Sequence, residues 1–124
     1  MTTVRIDDSY TAHVVSTTLE RGGATISATT GNTATTGWAV ALEGCEHRMA
    51  LDSFTAYAVR VYISRHRAEL ATTGNYLGTW VDGSDVVLDI SEVVQDTARA
   101  IALGRARKQD AIFNLGTGET WWLK

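Results

Sequence analysis

One two-residue turn, Gly83-Ser84, constrains this chain more than any other feature. With those residues as the loop, Val81 faces Val86, Thr79 faces Leu88 and Leu77 faces Ile90. Side chains alternate across a strand with period two, so these six point to one side. Trp80 facing Val87 and Gly78 facing Asp89 point to the other. A slip of one residue would mix the two sets, so the pattern itself selects the register. Asp82-Gly83-Ser84-Asp85 supplies the turn chemistry. The segment is therefore expected to be a hairpin with one side in the core.

A helix and a second hairpin follow. Asp96-Thr97 caps a helix running to about Lys108, and its apolar residues Ala98, Ile101, Ala102 and Gly104, three of them small, suit close packing on a sheet. Arg99, Arg105, Arg107 and Lys108 gather toward its C-terminal half, where the macrodipole favours cations. Ala111–Leu115 and Glu119–Leu123 form a hairpin around Gly116-Thr117-Gly118.

The N-terminal half is less decisive. Asp7 or Asp8 can cap a helix to about Glu20, with Tyr10, Val14, Val15 and Leu19 on one face and Gly22-Gly23 as a stop. A hairpin is the alternative, because Val14, Val15, Thr17 and Thr18 favour strands. Ala24–Ala28 reads as a strand, Thr29–Gly37 as a loop and Gly37–Leu42 as an apolar strand. Met49 and Leu51 then lead into a long helix, capped by Asp52 or Ser53 and ending near Ala71. Phe54, Tyr57, Ala58, Val61 and Tyr62 form one stripe on it; Val59, Ile63, His66 and Leu70 form a second. A helix apolar on two sides is expected between a sheet and either another helix or a partner subunit, which makes a homodimer one outcome. The expected architecture is a single α+β domain over residues 1–124. About three helices pack on an antiparallel or mixed sheet of about five to six strands.

Composition narrows the function classes. A chain of 124 residues can bury one core without staples. Its one cysteine, Cys45, excludes an intrachain disulfide and points to a reducing compartment. Neither a leader-like start nor an apolar run of bilayer length is present, so the cytoplasm is the expected location. The net charge of −3 is too negative for a generic DNA binder and too small for a polyanionic DNA mimic.

Few residues are arranged for chemistry. Cys45, Glu46 and His47 are adjacent, with Asp52 and His66 within reach along the chain. One thiol and one C-x-H pair fall short of the ligand spacing of a zinc site, so no metal and no cofactor are expected. Cys45 and His47 would share a strand face, which leaves a nucleophile pair open and nothing more. Asp82, Asp85, Asp89, Glu92 and Asp96 form an acidic run. Paired carboxylates can do acid–base work, yet the same residues serve as turn, solvated strand face and helix cap. Gly116-Thr117-Gly118 lies between two strands, whereas a phosphate cradle lies between a strand and a helix. Trp121 and Trp122 are neighbours and so point opposite ways on a strand. If the sheet is covered on one face only, one of them is exposed, and exposed tryptophan is enriched at interface hot spots.

The C-terminal half resembles a group of small uncharacterised accessory proteins encoded by bacteriophages and prophages. The matching residues are Tyr76-Leu77-Gly78-Thr79-Trp80-Val81, Leu88-Asp89-Ile90-Ser91-Glu92 and Ala102-Leu103-Gly104-Arg105 with Gln109. Ala111-Ile112-Phe113 with Gly118-Glu119 also match. Gly37-Trp38-Ala39-Val40-Ala41-Leu42 and the helix after Asp52 are similar too. Asn114 stands where the group has aspartate, and the final Trp-Trp is unusual for it. The resemblance implies an accessory gene product in a bacterial cytoplasm and carries no activity with it.

Three functions are compatible with these residues. The first is a non-enzymatic phage accessory protein that binds a host or phage protein, with inhibition of a host process as one result. It would use Trp80, Trp121 or Trp122, and the acidic edge Asp82, Asp85 and Asp89. The second is a nucleic-acid-associated protein using Arg99, Arg105, Arg107 and Lys108, opposed by the anionic chain. The third is a small enzyme built on the acidic hairpin.

Overall fold

The computed structural model describes residues 3–124. Helix α1, Asp8–Arg21, begins where the Asp7 side chain accepts a hydrogen bond from the Tyr10 amide. It ends at Gly22, whose φ of 82° is the left-handed turn that glycine adopts without a Cβ penalty. The hairpin alternative for this segment is thus excluded. Thr18, a strand-favouring residue, is used inside the helix: its hydroxyl meets the Val14 carbonyl and the Thr79 hydroxyl in the core. Leu19, expected on the inner face, is exposed, and Thr11 is buried in its stead.

Strand β1, Gly23–Ile26, follows directly. After the loop come β2, Trp38–Ala41, and β3, His47–Ala50. A 3-10 turn at Leu51–Ser53 precedes α2, Ala56–Arg65, and α3, Arg67–Ala71. This stretch differs most from the expectation. Met49 belongs to a strand, and the cap is Thr55, whose hydroxyl accepts from the Ala58 amide. Asp52 and Ser53 lie upstream in the 3-10 turn. The long helix is also divided at His66, where φ −117° and ψ 28° leave the helical region.

Strands β4, Asn75–Asp82, and β5, Asp85–Val94, form the expected hairpin in the expected register. Helix α4, Thr97–Ala106, is capped by Asp96, which accepts from the Arg99 amide. It packs through Ala100 and Gly104, while the small residues Ala98 and Ala102 face solvent. Strands β6, Ala111–Asn114, and β7, Thr120–Trp122, complete the chain.

All seven strands join one antiparallel sheet in the order β1-β4-β5-β2-β6-β7. The described residues therefore contain one strand more than the upper expectation, because β3 was read as a helix lead-in. β3 also pairs with β5, on the same edge as β2: β2 covers Ser91–Val94 and β3 covers Asp85–Leu88. The turn at 42–46 bulges between them.

The four helices lie on one face. Val59, Tyr62, Ile63 and Leu70 of α2 and α3 share a core with Leu77, Val86, Leu88 and Ile90. Val14 of α1 joins the same cluster. Farther along the sheet, α4 closes a smaller core of Trp38, Val40, Val94, Ala100 and Ile112. Strand alternation assigns Gly78, Trp80, Asp82, Asp85, Val87, Asp89, Ser91, Phe113 and Trp122 to the opposite face.

Candidate functional site

The face without helices gathers most of the residues singled out in the sequence. Trp80, Asp82, Asp85, Asp89 and Trp122 all belong to it by register. Trp121 does not. It faces the helix side and tilts against Trp38 with ring centroids 4.7 Å apart, and its indole donates to Glu119. Trp122 is 73% exposed and Trp121 41%, so both tryptophans are exposed, one on each side of the sheet, rather than one alone. Phe113, which sequence reading missed, is 42% exposed on the same face. The observed register, which pairs Ala111 with Trp122, puts it there; the register set by a Gly116-Thr117-Gly118 loop would have placed Phe113 opposite Trp121 instead.

Cross-strand pairing explains why parts of this face are nonetheless buried. Trp80 stands opposite Val87, Tyr76 opposite Ser91 and Asp89 opposite Gly78. Each large side chain shelters a small one. The absence of a side chain at Gly78 is required: a Cβ there would lie 2.3 Å from an Asp89 carboxylate oxygen. Burial, and then the charge of Glu46, push the Asp89 carboxyl up to about 6. Asp82 and Asp85 are paired across the hairpin, and Arg48 on β3 bridges both at 3.0 and 3.2 Å.

The acidic run as a whole therefore does not converge. Asp82 and Asp85 clamp Arg48, Asp89 lies on the helix-free face, Glu92 lies on the helix side and Asp96 caps α4. Two surface concavities, one lined by Thr3–Asp7 with Thr29 and one by His47, Met49, Tyr57, Val61, Tyr62 and Arg65, involve none of them. Tyr57 is exposed and Val61 half-buried, so the first stripe of α2 is only partly covered.

The basic residues are also partly committed. Arg107 donates to Glu92 at 2.7 Å and to the Val40 carbonyl, and Arg99 reaches the same Glu92 at 3.2 Å. Lys108 has φ 57° and occupies the left-handed position just past α4, where the Gln109 amide returns to the Gly104 carbonyl. Arg105 is exposed.

On the helix side, the chain brings together three donors that lie far apart in sequence. Cys45 is buried in the turn between β2 and β3. His66 and Glu69 flank it from the break between α2 and α3, and one ligand atom of each lies within 4.8 Å of the others. Burial, followed by the charges of Glu69 and Asp89, raises the Cys45 thiol. His47, the sequence neighbour expected beside Cys45, is exposed and outside this group. The pairing of Cys45 with His66 depends on the helix break and had no local signal.

Among the described residues, no helix is long and apolar enough to cross a membrane. Comparison with protein-family models, curated proteins and solved structures finds no match.

Proposed function

We propose that this chain is a non-enzymatic accessory protein of the bacteriophage type, acting in a bacterial cytoplasm by binding a host or phage protein through its helix-free sheet face. The observation that supports the reading is the outward placement of Trp80, Phe113 and Trp122 on one face that no helix covers. Phe113 and Trp122 are diagonal neighbours by register across β6 and β7, at one end of the sheet; Trp80 stands near the tip of the first hairpin. Large exposed aromatics are the side chains that anchor protein interfaces, since each buries much apolar area with little loss of rotamer freedom. Carboxylates flank them: Asp89 on the same face, within reach of the charge of Glu46, and Asp82 and Asp85 shared by Arg48. The matching partner surface is apolar with a basic rim.

The nucleic-acid reading is weaker on this arrangement. Two of its four cations, Arg99 and Arg107, are held by Glu92, which reduces the local excess of positive charge that phosphate binding needs. The enzyme reading is weaker too: the carboxylates that come together in the acidic hairpin, Asp82 and Asp85, are both occupied by Arg48.

Capture from host lysate on immobilised protein, with Trp80→Ala/Trp122→Ala as the comparison, tests the proposal. A specific band lost in the double variant, whose melting temperature stays close to that of the parent, is the expected result. A band retained by the double variant overturns it. So does micromolar binding of mixed-sequence DNA that is abolished by Arg105→Ala with Arg107→Ala. Self-association lost in the double variant would make the partner a second copy of the chain.

A further inference from the structure

We infer that Cys45, His66 and Glu69 form a binding site for a divalent transition-metal ion, with zinc as the fitting ion. Three different donors, a thiol, an imidazole and a carboxylate, converge from two separate elements, each offering one ligand atom within 4.8 Å of the other two. Thiol and imidazole ligands select zinc-like ions over magnesium or calcium, which take oxygen. Metal–ligand lengths of about 2.0–2.3 Å place the corners of a zinc tetrahedron roughly 3.3–3.6 Å apart. His66 Nδ1 and the nearer Glu69 oxygen, at 3.7 Å, already stand near that spacing. The remaining closure, at the Cys45 sulfur, is a side-chain adjustment of about 1 Å.

A second observation points the same way. His66 Nδ1 is buried and makes no hydrogen bond, and at 3.7 Å the Glu69 carboxylate is too far to serve as its acceptor. A buried ring nitrogen left without a partner costs free energy, and coordination is a way of satisfying it. The surroundings hold the donors in place. The Tyr62 ring packs on His66 with centroids 4.5 Å apart, and the Tyr62 hydroxyl donates to the Cys45 carbonyl at 2.5 Å. Asn75 donates to the Glu69 carbonyl at 2.8 Å. These contacts fix the backbone of Cys45 and Glu69 and the ring of His66. The half-exposed Glu69 gives the ion a way in from solvent. Three protein ligands leave a fourth position for water or for a donor from a partner, the pattern of an open site.

The test uses the full chain freed of any histidine tag. Titration with cobalt(II) is expected to saturate at one ion per chain, giving the intense visible bands of a four-coordinate ion and a near-ultraviolet thiolate-to-cobalt band. Zinc(II) added afterwards bleaches both. Cys45→Ser removes the near-ultraviolet band. His66→Gln and Glu69→Gln each weaken binding by more than the roughly 10–100-fold that loss of an outer-shell partner costs. His47→Gln, outside the cluster, leaves it unchanged. An independent readout needs no variant: zinc should slow modification of Cys45 by a thiol reagent, and a chelator should restore the rate. A titration without these bands, the same near-ultraviolet band in Cys45→Ser, or a modification rate indifferent to zinc overturns the assignment.

Discussion

The two hairpins of the C-terminal half, β4–β5 and β6–β7, are written alike and end up in different surroundings. Both have a glycine-containing turn between apolar strands, but only β4–β5 forms in a register that its alternation selects; β6–β7 pairs Ile112 with Trp121, one residue off the register that a Gly116-Thr117-Gly118 loop would set. Yet Val86, Val87, Leu88 and Ile90 are fully buried, whereas every residue of β7 is exposed. The difference arises outside the hairpins. β5 has β4 on one edge and both β2 and β3 on the other, with three helices above. β7 is an edge strand, and Leu123 beyond it touches α4 near Gly104. Alternation thus states which side chains share a face, while the neighbours decide whether that face is wet.

The sharpest way to break this contrast is a cavity in each hairpin. Leu88→Ala, in the centre of the larger core, should cost about 2–5 kcal/mol in urea denaturation. Ile112→Ala, in the smaller core at the sheet's end, should fall near the lower limit, about 2 kcal/mol, because an edge relaxes around a void more easily. Equal losses would mean that the second hairpin is as deeply embedded as the first.

Acidity separates the hairpins next. The open face of β4–β5 contains Asp89, whose carboxyl is raised to about 6; that of β6–β7 contains no ionisable residue on either strand. An acid raised in the folded state binds its proton more tightly there than in the unfolded chain. Its contribution is therefore complete below the ordinary aspartate range and lost as pH rises through about 6. Stability should decline by about 1–2 kcal/mol across that window, less than the full shift implies because the side chain is part-exposed. Asp89→Asn should flatten the slope and raise the melting temperature at pH 7.5. A slope unchanged by the substitution would place its source elsewhere.

The smallest effect belongs to Trp122→Ala. A side chain this exposed should change stability by less than about 0.5 kcal/mol while weakening partner capture. A large loss of stability would show that the indole is a packing residue, and the surface reading would lose one of its three anchors.

Legibility followed the range of the forces involved. Registers and caps rest on residues a few positions apart, and Asp7, Gly22, Gly83 and Asp96 were readable for that reason. The cap of α2 was misplaced because Asp52, Ser53 and Thr55 all suit the role, and only the 3-10 turn chooses among them. β3 was hidden because His47–Ala50 has no strong alternation of its own and is a strand only by pairing with β5. On the candidate face, Trp80 and the carboxylates followed from the first hairpin, and the choice between Trp121 and Trp122 needed to know which side the helices cover. The Cys45–His66–Glu69 group joins a turn to a helix break across more than 20 positions, a distance over which spacing carries no information.

The pairing scheme also bears on how the chain acquires its shape as it is made. β1, β2 and β3 lie within the first 50 residues, and none pairs with another; β1 requires β4, and β2 and β3 require β5. A nascent chain emerging at about 5–20 residues per second therefore exposes three unpaired strands for several seconds before the β4–β5 hairpin exists. Once Asp85–Val94 clears the ribosome, the β4–β5 hairpin can close on the microsecond scale. The waiting strands then dock on both of its edges. The late hairpin acts as the template for the early strands, β4 for β1 and β5 for β2 and β3, and until its synthesis the N-terminal half is the part of this protein that a chaperone would have to shield.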